Sequence, residues 1–313
     1  MDPLDRIDVA GDSTYMLMLE GCRRGGTVFW CVPGDLFALG GRCHAKCSQV
    51  QVTEQAPYFD SELPQDRDLG DFDVVWMRKD PPFHIGYIFT TYLLDLVPPE
   101  TLVLNPPESI RNANEKMVAL QFPDLVPPTL VTREIRRALA WIAEAPGKIV
   151  LKPWDGNGGR GVLVSSHGDG NLRSMLEVLT DEEKIHIIVQ HYIPEIRQGD
   201  KRIILIDGEP AGWMNRVPQP GDHRGNMHTG AVVEAVDLSE SDRKICAEIG
   251  PWLKESGLLF VGIDTIGTVM TEINVTSPTG IREINQLMGT KLECDLTDAV
   301  ESKLAEHRQR GLK

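Results

Sequence analysis

The 313 residues, 41% hydrophobic and 25% charged, suit a soluble globular chain of two or three domains with full cores. A formal net charge of −14 and a pI near 5.0 argue against an extended nucleic-acid surface, which needs clustered Lys and Arg, but leave room for small anions where arginines converge. The acidic start Met1-Asp2-Pro3-Leu4-Asp5-Arg6-Ile7-Asp8 and the lack of a run of 18 apolar residues speak against export and against a membrane span.

Residues 12–24 carry Tyr15, Met16, Leu19 and Cys22 at helical spacing behind Asp12-Ser13-Thr14, a capping sequence, and Arg23-Arg24-Gly25-Gly26 ends the helix. An apolar strand over 27–32 follows. Strands at 73–77 and 101–105, separated by a helical stretch at 85–96, predict an α/β fold with parallel strands. Asn105-Pro106-Pro107 and Val126-Pro127-Pro128 bracket a helix expected from about Ser109 to Leu120 and mark a domain junction. Beyond it strands pair through short turns: 149–152 with 162–165, 202–206 with 210–215, and 260–264 with 269–274. This half reads as α+β with antiparallel sheet. The expected division is 1–115, 116–193 and 194–313.

Six cysteines (Cys22, Cys31, Cys43, Cys47, Cys246, Cys294) are too sparse for a disulfide scaffold, and a reducing cytoplasm fits them. Cys43-His44-x2-Cys47 offers three ligands with no second cluster to complete a zinc tetrahedron, so free thiols are expected.

The first chemical signal is Lys152-Pro153-Trp154-Asp155-Gly156-Asn157-Gly158-Gly159-Arg160-Gly161. Its glycine spacing matches the dinucleotide fingerprint, yet the glycines join two strands rather than opening a helix, and no Lys-Ser or Lys-Thr completes a P-loop. A glycine hairpin behind a strand lysine can lay backbone N–H groups over a polyphosphate. The alternative is a flexible hairpin, but the four glycines between 156 and 161 exceed what one turn requires. The second signal is Asp264 beside Glu272 and Asn274 on a proposed hairpin. Two carboxylates and a carboxamide without His or Cys suit Mg²⁺; a solvated sheet face is the alternative, disfavoured by the neighbouring phosphate signal.

The segments Met77-Arg78-Lys79-Asp80-Pro81-Pro82-Phe83, Asn114-Glu115-Lys116, Lys152-Pro153-x-Asp155-Gly156, Gly199-Asp200-Lys201-Arg202 and Thr271-Glu272-Ile273-Asn274-Val275-Thr276-Ser277-Pro278-Thr279 occur together and in this order. They resemble prokaryotic glutathione synthetase, from Met1 to about Ala305. The resemblance implies an ATP-grasp fold behind an N-terminal parallel α/β domain. It also implies ATP-dependent ligation of γ-glutamylcysteine and glycine through an acyl phosphate, with Mg²⁺ or Mn²⁺. Lys116, Lys152, Gly156, Gly158, Gly159, Gly161 and Asp200 would contact ATP, with Gln190, His191, Tyr192 and Ile193 at its adenine. Asp264, Glu272 and Asn274 would hold metal; Arg202, Arg216 and Lys152 would act in catalysis; Arg78, Arg202, Arg216, Arg224, Ser277 and Thr279 would surround the peptide substrate. A homotetramer or homodimer is also implied.

Two departures accompany the resemblance. The family has a short apolar strand ahead of Met-Asp-Pro, which this sequence lacks, and His191 stands where Asn or Glu is expected. The rival readings are a ligase acting on D-alanine or on a protein's C-terminal glutamate, a nucleotide-binding regulator without turnover, and a dehydrogenase. Asp80-Pro81-Pro82-Phe83 disfavours the first pair, the retained metal set the second, and the strand context of the glycines the third. Pro218 to Gly230, rich in glycine and proline and poor in apolar side chains, is expected to be a mobile lid that brings Arg224 over the reacting carboxylate.

Overall fold

The computed structural model describes residues 1–156, 158–221, 225 and 230–311. Helix α1 (Ser13–Arg23) begins where the Asp12 carboxylate accepts from the Tyr15 N–H at 2.7 Å, and it ends ahead of Gly25, whose φ of 80° suits glycine. Strands β1 (Phe29–Trp30), β2 (Leu36–Leu39), β3 (Arg42–Val52), β4 (Phe59–Ser61) and β5 (Gln65–Asp68) form an antiparallel sheet in which every other strand pairs with β3. The strand expected at 27–32 is therefore shorter and antiparallel. Sequence reading missed β3 because its outward positions are polar; inward, Cys43, Ala45 and Cys47 pack on Leu69, Phe83 and Ile110. Alternation along β3 puts His44 on the opposite face from Cys43 and Cys47, which removes the zinc reading.

Strand β6 (Val74–Trp76), helix α2 (Ile85–Leu94), strand β7 (Leu102–Leu104) and helix α3 (Pro107–Asn112) follow. Strands β6 and β7 are parallel, and the expected parallel arrangement of the N-terminal region holds for this pair. Among the described residues the other edge of β6 pairs with no strand. An apolar cavity lies between β6, β1 and α1. The single helix expected from Ser109 to Leu120 is broken: α3 stops at Asn112, and the Asn114 carboxamide accepts from the N–H groups of Lys116 and Met117. A local side-chain acceptor competes with helix propagation there and turns the chain just before Lys116. Asn105, after β7, donates to the carbonyls of Phe260 and Val275 and accepts from the N–H of Leu259, tying this region to the C-terminal sheet.

Strands β8 (Thr129–Thr132), β9 (Lys148–Pro153), β10 (Leu163–Ser166) and β11 (Ile187–His191) form an antiparallel sheet in the order β10-β9-β11-β8. Helices α4 (Ile135–Glu144) and α5 (Leu172–Leu179) cover it through Ile142, Leu172 and Leu176. Strands β12 (Asp200–Ile206), β13 (Glu209–Val217) and β14 (Val232–Glu234), helix α6 (Glu240–Glu255), strands β15 (Phe260–Ile266) and β16 (Val269–Asn274), and helices α7 (Ile281–Met288) and α8 (Leu292–Gly311) complete the chain.

The five C-terminal strands are antiparallel in the order β14-β13-β12-β15-β16, and all three expected hairpins are present. One face buries Ile203, Leu205, Val261 and Ile263 against α6. The other face is apolar at one end, where Ile204 and Phe260 pack with α7 and α8, and charged at the other, where Asp200, Arg202 and Asp264 stand at alternate positions of β12 and β15. Among the described residues no helix is long and apolar enough to cross a membrane.

Candidate active site

The charged end of the C-terminal sheet and the glycine hairpin between β9 and β10 face each other across a cleft. Lys152 and Val150, two apart on β9, share the face that lines it. Lys116 enters from the turn that ends α3. Its ammonium donates to the Gly156 carbonyl and lies 3.3 Å from Glu272 Oε1, so it links the glycine hairpin to β16. A Cβ on Gly156 would come within 2.7 Å of Pro153, and Gly158 has a φ of 59°; the hairpin needs glycine at both positions.

Strand β16 carries one extra residue opposite β15: Asp264 pairs with Glu272 while Thr265 pairs with Met270. This bulge turns both Thr271 and Glu272 into the cleft. Beneath them, Arg202 donates from Nε to Asp264 Oδ1 at 2.6 Å and from Nη2 to Oδ2 at 3.0 Å. Arg216 on β13 bridges Asp264 Oδ1, at 2.9 Å, and Asp200. Asn274 Nδ2 completes the set at 3.3 Å from Asp264 Oδ2.

Burial by itself would raise the Asp264 carboxyl, but the guanidiniums of Arg202 and Arg216 outweigh it and hold the group below the usual carboxylate range. Asp200 is pushed upward by burial despite Arg216. Burial opposes charge on Lys116 too, yet Glu272 and Glu115 outweigh it and raise that ammonium. Lys152, buried and without a direct carboxylate partner among the described residues, is pushed down to about 8, with Lys116 adding to the effect.

Of the nucleotide-contacting residues expected from sequence, Lys116, Lys152, Gly156, Gly158, Gly159, Gln190, His191, Tyr192, Ile193 and Asp200 all line this cleft. Gly161 shapes the hairpin without lining it; its φ is 72°. The His191 ring lies 4.9 Å from that of Trp141, centroid to centroid. Of the expected metal residues, Asn274 meets Asp264, and Glu272 stands opposite Asp264 in the strand register while its carboxylate faces Lys116. All are hard oxygen donors, and that chemistry fits Mg²⁺ or Mn²⁺, although the bonds from Arg202, Arg216 and Asn274 already occupy Asp264. Among the described residues no group of three or more His, Cys, Asp or Glu side chains is gathered as a metal site.

Arg202 and Arg216 lie under the cleft, reached through Asp200 and Asp264, and Arg202 Nη1 approaches the Thr279 carbonyl at 3.4 Å. Arg78 is buried on the N-terminal side of the turn at 277–279 and donates to the Pro278 carbonyl at 2.9 Å. Arg224 and the centre of the lid expected at 218–230 fall outside the described residues; Gly225 is described and lines the cleft. Sequence reading passed over Val150, Val162, Arg160 and Thr271 on the cleft wall. The two-residue spacing from Lys152 was a signal for Val150.

Comparison with known proteins decides the family. The model of the prokaryotic glutathione synthetase N-terminal domain matches residues 1–111, and that of the prokaryotic glutathione synthetase ATP-grasp domain matches residues 115–289. The chain belongs to the prokaryotic glutathione synthetase family. It is 45% identical over 304 residues to the glutathione synthetase of Brucella melitensis, covering 97% of each chain. It is 43% identical over 304 residues to that of Thermosynechococcus vestitus, covering 93% of this chain and 95% of that one. Among solved structures, the ATP-grasp ligase PsnB complexed with a minimal precursor superposes with a TM-score of 0.61 at 19% identity, covering 95% of this chain and 96% of that one. The D-alanine–D-alanine ligase of Bacillus anthracis gives 0.52 at 16% identity, covering 77% and 82%. These two likenesses give the fold of this family member as ATP-grasp.

The position of Lys152 has a measurable consequence. Its folded-state pKa near 8 lies below the 10.5 of a free lysine, so between those values the unfolded chain binds more protons and stability rises with pH. The cost of the buried ammonium is fully present below pH 8 and fades as pH approaches 10.5. In thermal denaturation without nucleotide, Lys152→Met is expected to raise Tm at pH 7, with the gain shrinking towards pH 10. A gain that does not depend on pH would contradict the burial of the charge.

Proposed function

We propose that this chain is a glutathione synthetase, joining γ-glutamylcysteine to glycine at the expense of ATP. The observation that carries the reading is the convergence of Lys116, Lys152, the glycine hairpin and Glu272 on one cleft, over a second layer of Arg202, Arg216 and Asp264. In this reading residues 1–115 form the N-terminal domain, and 116–193 and 194–313 the two halves that grasp the nucleotide; the four-stranded sheet falls wholly within the second span and the C-terminal five-stranded sheet wholly within the third.

A peptide carboxylate is a poor electrophile, so its oxygen first attacks the γ-phosphorus of ATP, and ADP leaves. The amine of glycine then attacks the carbonyl carbon of the acyl phosphate, expelling phosphate as the nitrogen loses a proton. Lys116 and Lys152, which line the cleft, would hold phosphate oxygens, and the hairpin amides would cover them. Gln190 to Ile193 provide the adenine end. Arg202, fixed on Asp264 through Nε and Nη2, keeps Nη1 for the reacting carboxylate near Ser277 and Thr279, with Arg216 beside it. Arg224 belongs to the same proposed substrate set. Asp264, Glu272 and Asn274 would hold Mg²⁺ or Mn²⁺, whose charge would offset that on the transferring phosphoryl group.

We place the enzyme in the cytoplasm, supported by six free cysteines. We further propose that it is a homodimer or homotetramer. Ile85, Phe89, Tyr92 and Leu96, at helical spacing along and just beyond α2, are exposed together, and an identical stripe on a second copy would cover them. Phe89→Glu is expected to lower the sedimentation mass towards that of one chain; an unchanged mass would remove the stripe from the interface.

The function itself is tested by ADP release from the purified protein. Turnover is expected only when γ-glutamylcysteine, glycine, ATP and Mg²⁺ are all present, and Glu272→Gln is expected to lower it by roughly a thousandfold at limiting Mg²⁺. Equal turnover with D-alanine alone would overturn the reading in favour of another ligase of this fold.

A further inference from the structure

The charges on the cleft wall do not cancel. The carboxylates of Asp200 and Glu272 are already paired, the first with Arg216 and the second with Lys116. Lys152 and Arg160 line the same cleft, and among the described residues neither side chain makes an ion pair or a hydrogen bond. Lys152 is buried on its strand, whereas Arg160 is exposed on the hairpin. In a chain of net charge −14 carboxylates are plentiful, so a guanidinium left without one on a cleft wall marks a place for an anion from outside.

Strand β9 gives the cleft a direction. Gln190 and His191, expected at the adenine, pair with Val150 and Ile149 near its beginning, and the Tyr192 N–H donates to the Lys148 carbonyl at 3.1 Å. Lys152 stands further along, opposite Ile188, and the glycine hairpin lies beyond the strand's end at Pro153. A nucleotide with its base at the first end therefore directs its phosphates towards the hairpin. Arg160 sits in the returning arm: its carbonyl would lie 3.2 Å from a Cβ on Gly156, whose own carbonyl accepts from Lys116. It is thus beside the link from Lys116 to Glu272 and away from the base end. Gly159 and Gly161, with φ of 75° and 72°, flank it and place no side chain in the guanidinium's way.

We propose that Arg160 is a catalytic residue of the first step, pairing its guanidinium with the γ-phosphoryl group of ATP as that group passes to the peptide carboxylate. In that step a bond forms between a carboxylate oxygen and the γ-phosphorus while the bond from phosphorus to the oxygen bridging to ADP breaks, its electron pair leaving with ADP. Arg160 exchanges no proton. Its N–H groups contact non-bridging oxygens of the group in transfer, over which the charge is spread. A planar fork of donors fits two such oxygens at once, which the point charge of Lys152 cannot do. Lys152 is held on a strand at the inner wall, and Arg160 closes on the same phosphates from the hairpin. This inference rests on the function proposed above.

The test compares Arg160→Ala and Arg160→Lys with the parent enzyme. Because the side chain is exposed, both variants are expected to keep the parent's Tm. In Arg160→Ala, kcat for ADP release is expected to fall about a hundredfold or more, with KM for γ-glutamylcysteine and glycine unchanged, and Arg160→Lys is expected to recover only part of the loss. Millimolar guanidinium chloride is expected to restore some turnover to Arg160→Ala while leaving the parent unchanged, a rescue that a structural role would not show. In direct binding, Arg160→Ala is expected to hold ADP as the parent does and the non-hydrolysable analogue AMPPNP about tenfold less tightly. An unchanged kcat, an equal weakening of ADP and AMPPNP, or no response to guanidinium would overturn the assignment. If the parent itself does not ligate γ-glutamylcysteine, the failure lies with the proposed function, and the two nucleotide affinities still decide whether Arg160 meets the γ-phosphate.

Discussion

Asp264 is the fixed point of the site: a buried carboxylate that two guanidiniums hold ionised against the cost of burial. It occupies the charged end of a sheet face whose other end is ordinary apolar core. Removing charge from water is tolerable only when partners replace the lost solvation, so Arg202, Arg216, Asp200 and Asn274 are constrained by Asp264 before any ligand arrives. Because they lie on β12, β13, β15 and β16, the antiparallel register sets their spacing. The site inherits its geometry from the sheet.

A second layer depends on the first. Glu272, opposite Asp264 across the bulge, meets Lys116, and Lys116 reaches the glycine hairpin through the Gly156 carbonyl. The hairpin is thus positioned by an ionic chain running from the C-terminal sheet, although its strands belong to the other sheet. Lys152 is the exception. It is buried with no direct carboxylate partner among the described residues, so its charge is held less firmly there, and an incoming polyphosphate has most to offer it.

Much of this was legible from particular residues. The glycines after Lys152 and the Asp264, Glu272, Asn274 trio lie where alternation along strands and short-turn signals placed them. Local periodicity carries that information. Strand β3 was hidden because its solvent side is polar and the core side of its first half is built from Cys43, Ala45 and Cys47, with branched Val50 and Val52 only near its end. The break after α3 was hidden because it depends on the Asn114 side chain displacing a backbone acceptor, a choice that helix spacing does not record. The pairing of Arg216 with Asp200 and Asp264 arises from contacts between distant segments, which no short pattern encodes.

If mutual compensation of buried charge holds the site together, removing one member should hurt more than removing two that compensate each other. The most direct test is a double-mutant cycle on Arg216 and Asp200, followed by thermal and urea unfolding. Arg216→Met is expected to cost about 3 kcal/mol or more, because Asp200 and Asp264 lose a shared cation. Asp200→Asn added to that variant is expected to restore a large part of the loss without restoring ADP release. Costs that simply add, to within about 0.5 kcal/mol, would contradict the compensation on which the site is argued to rest.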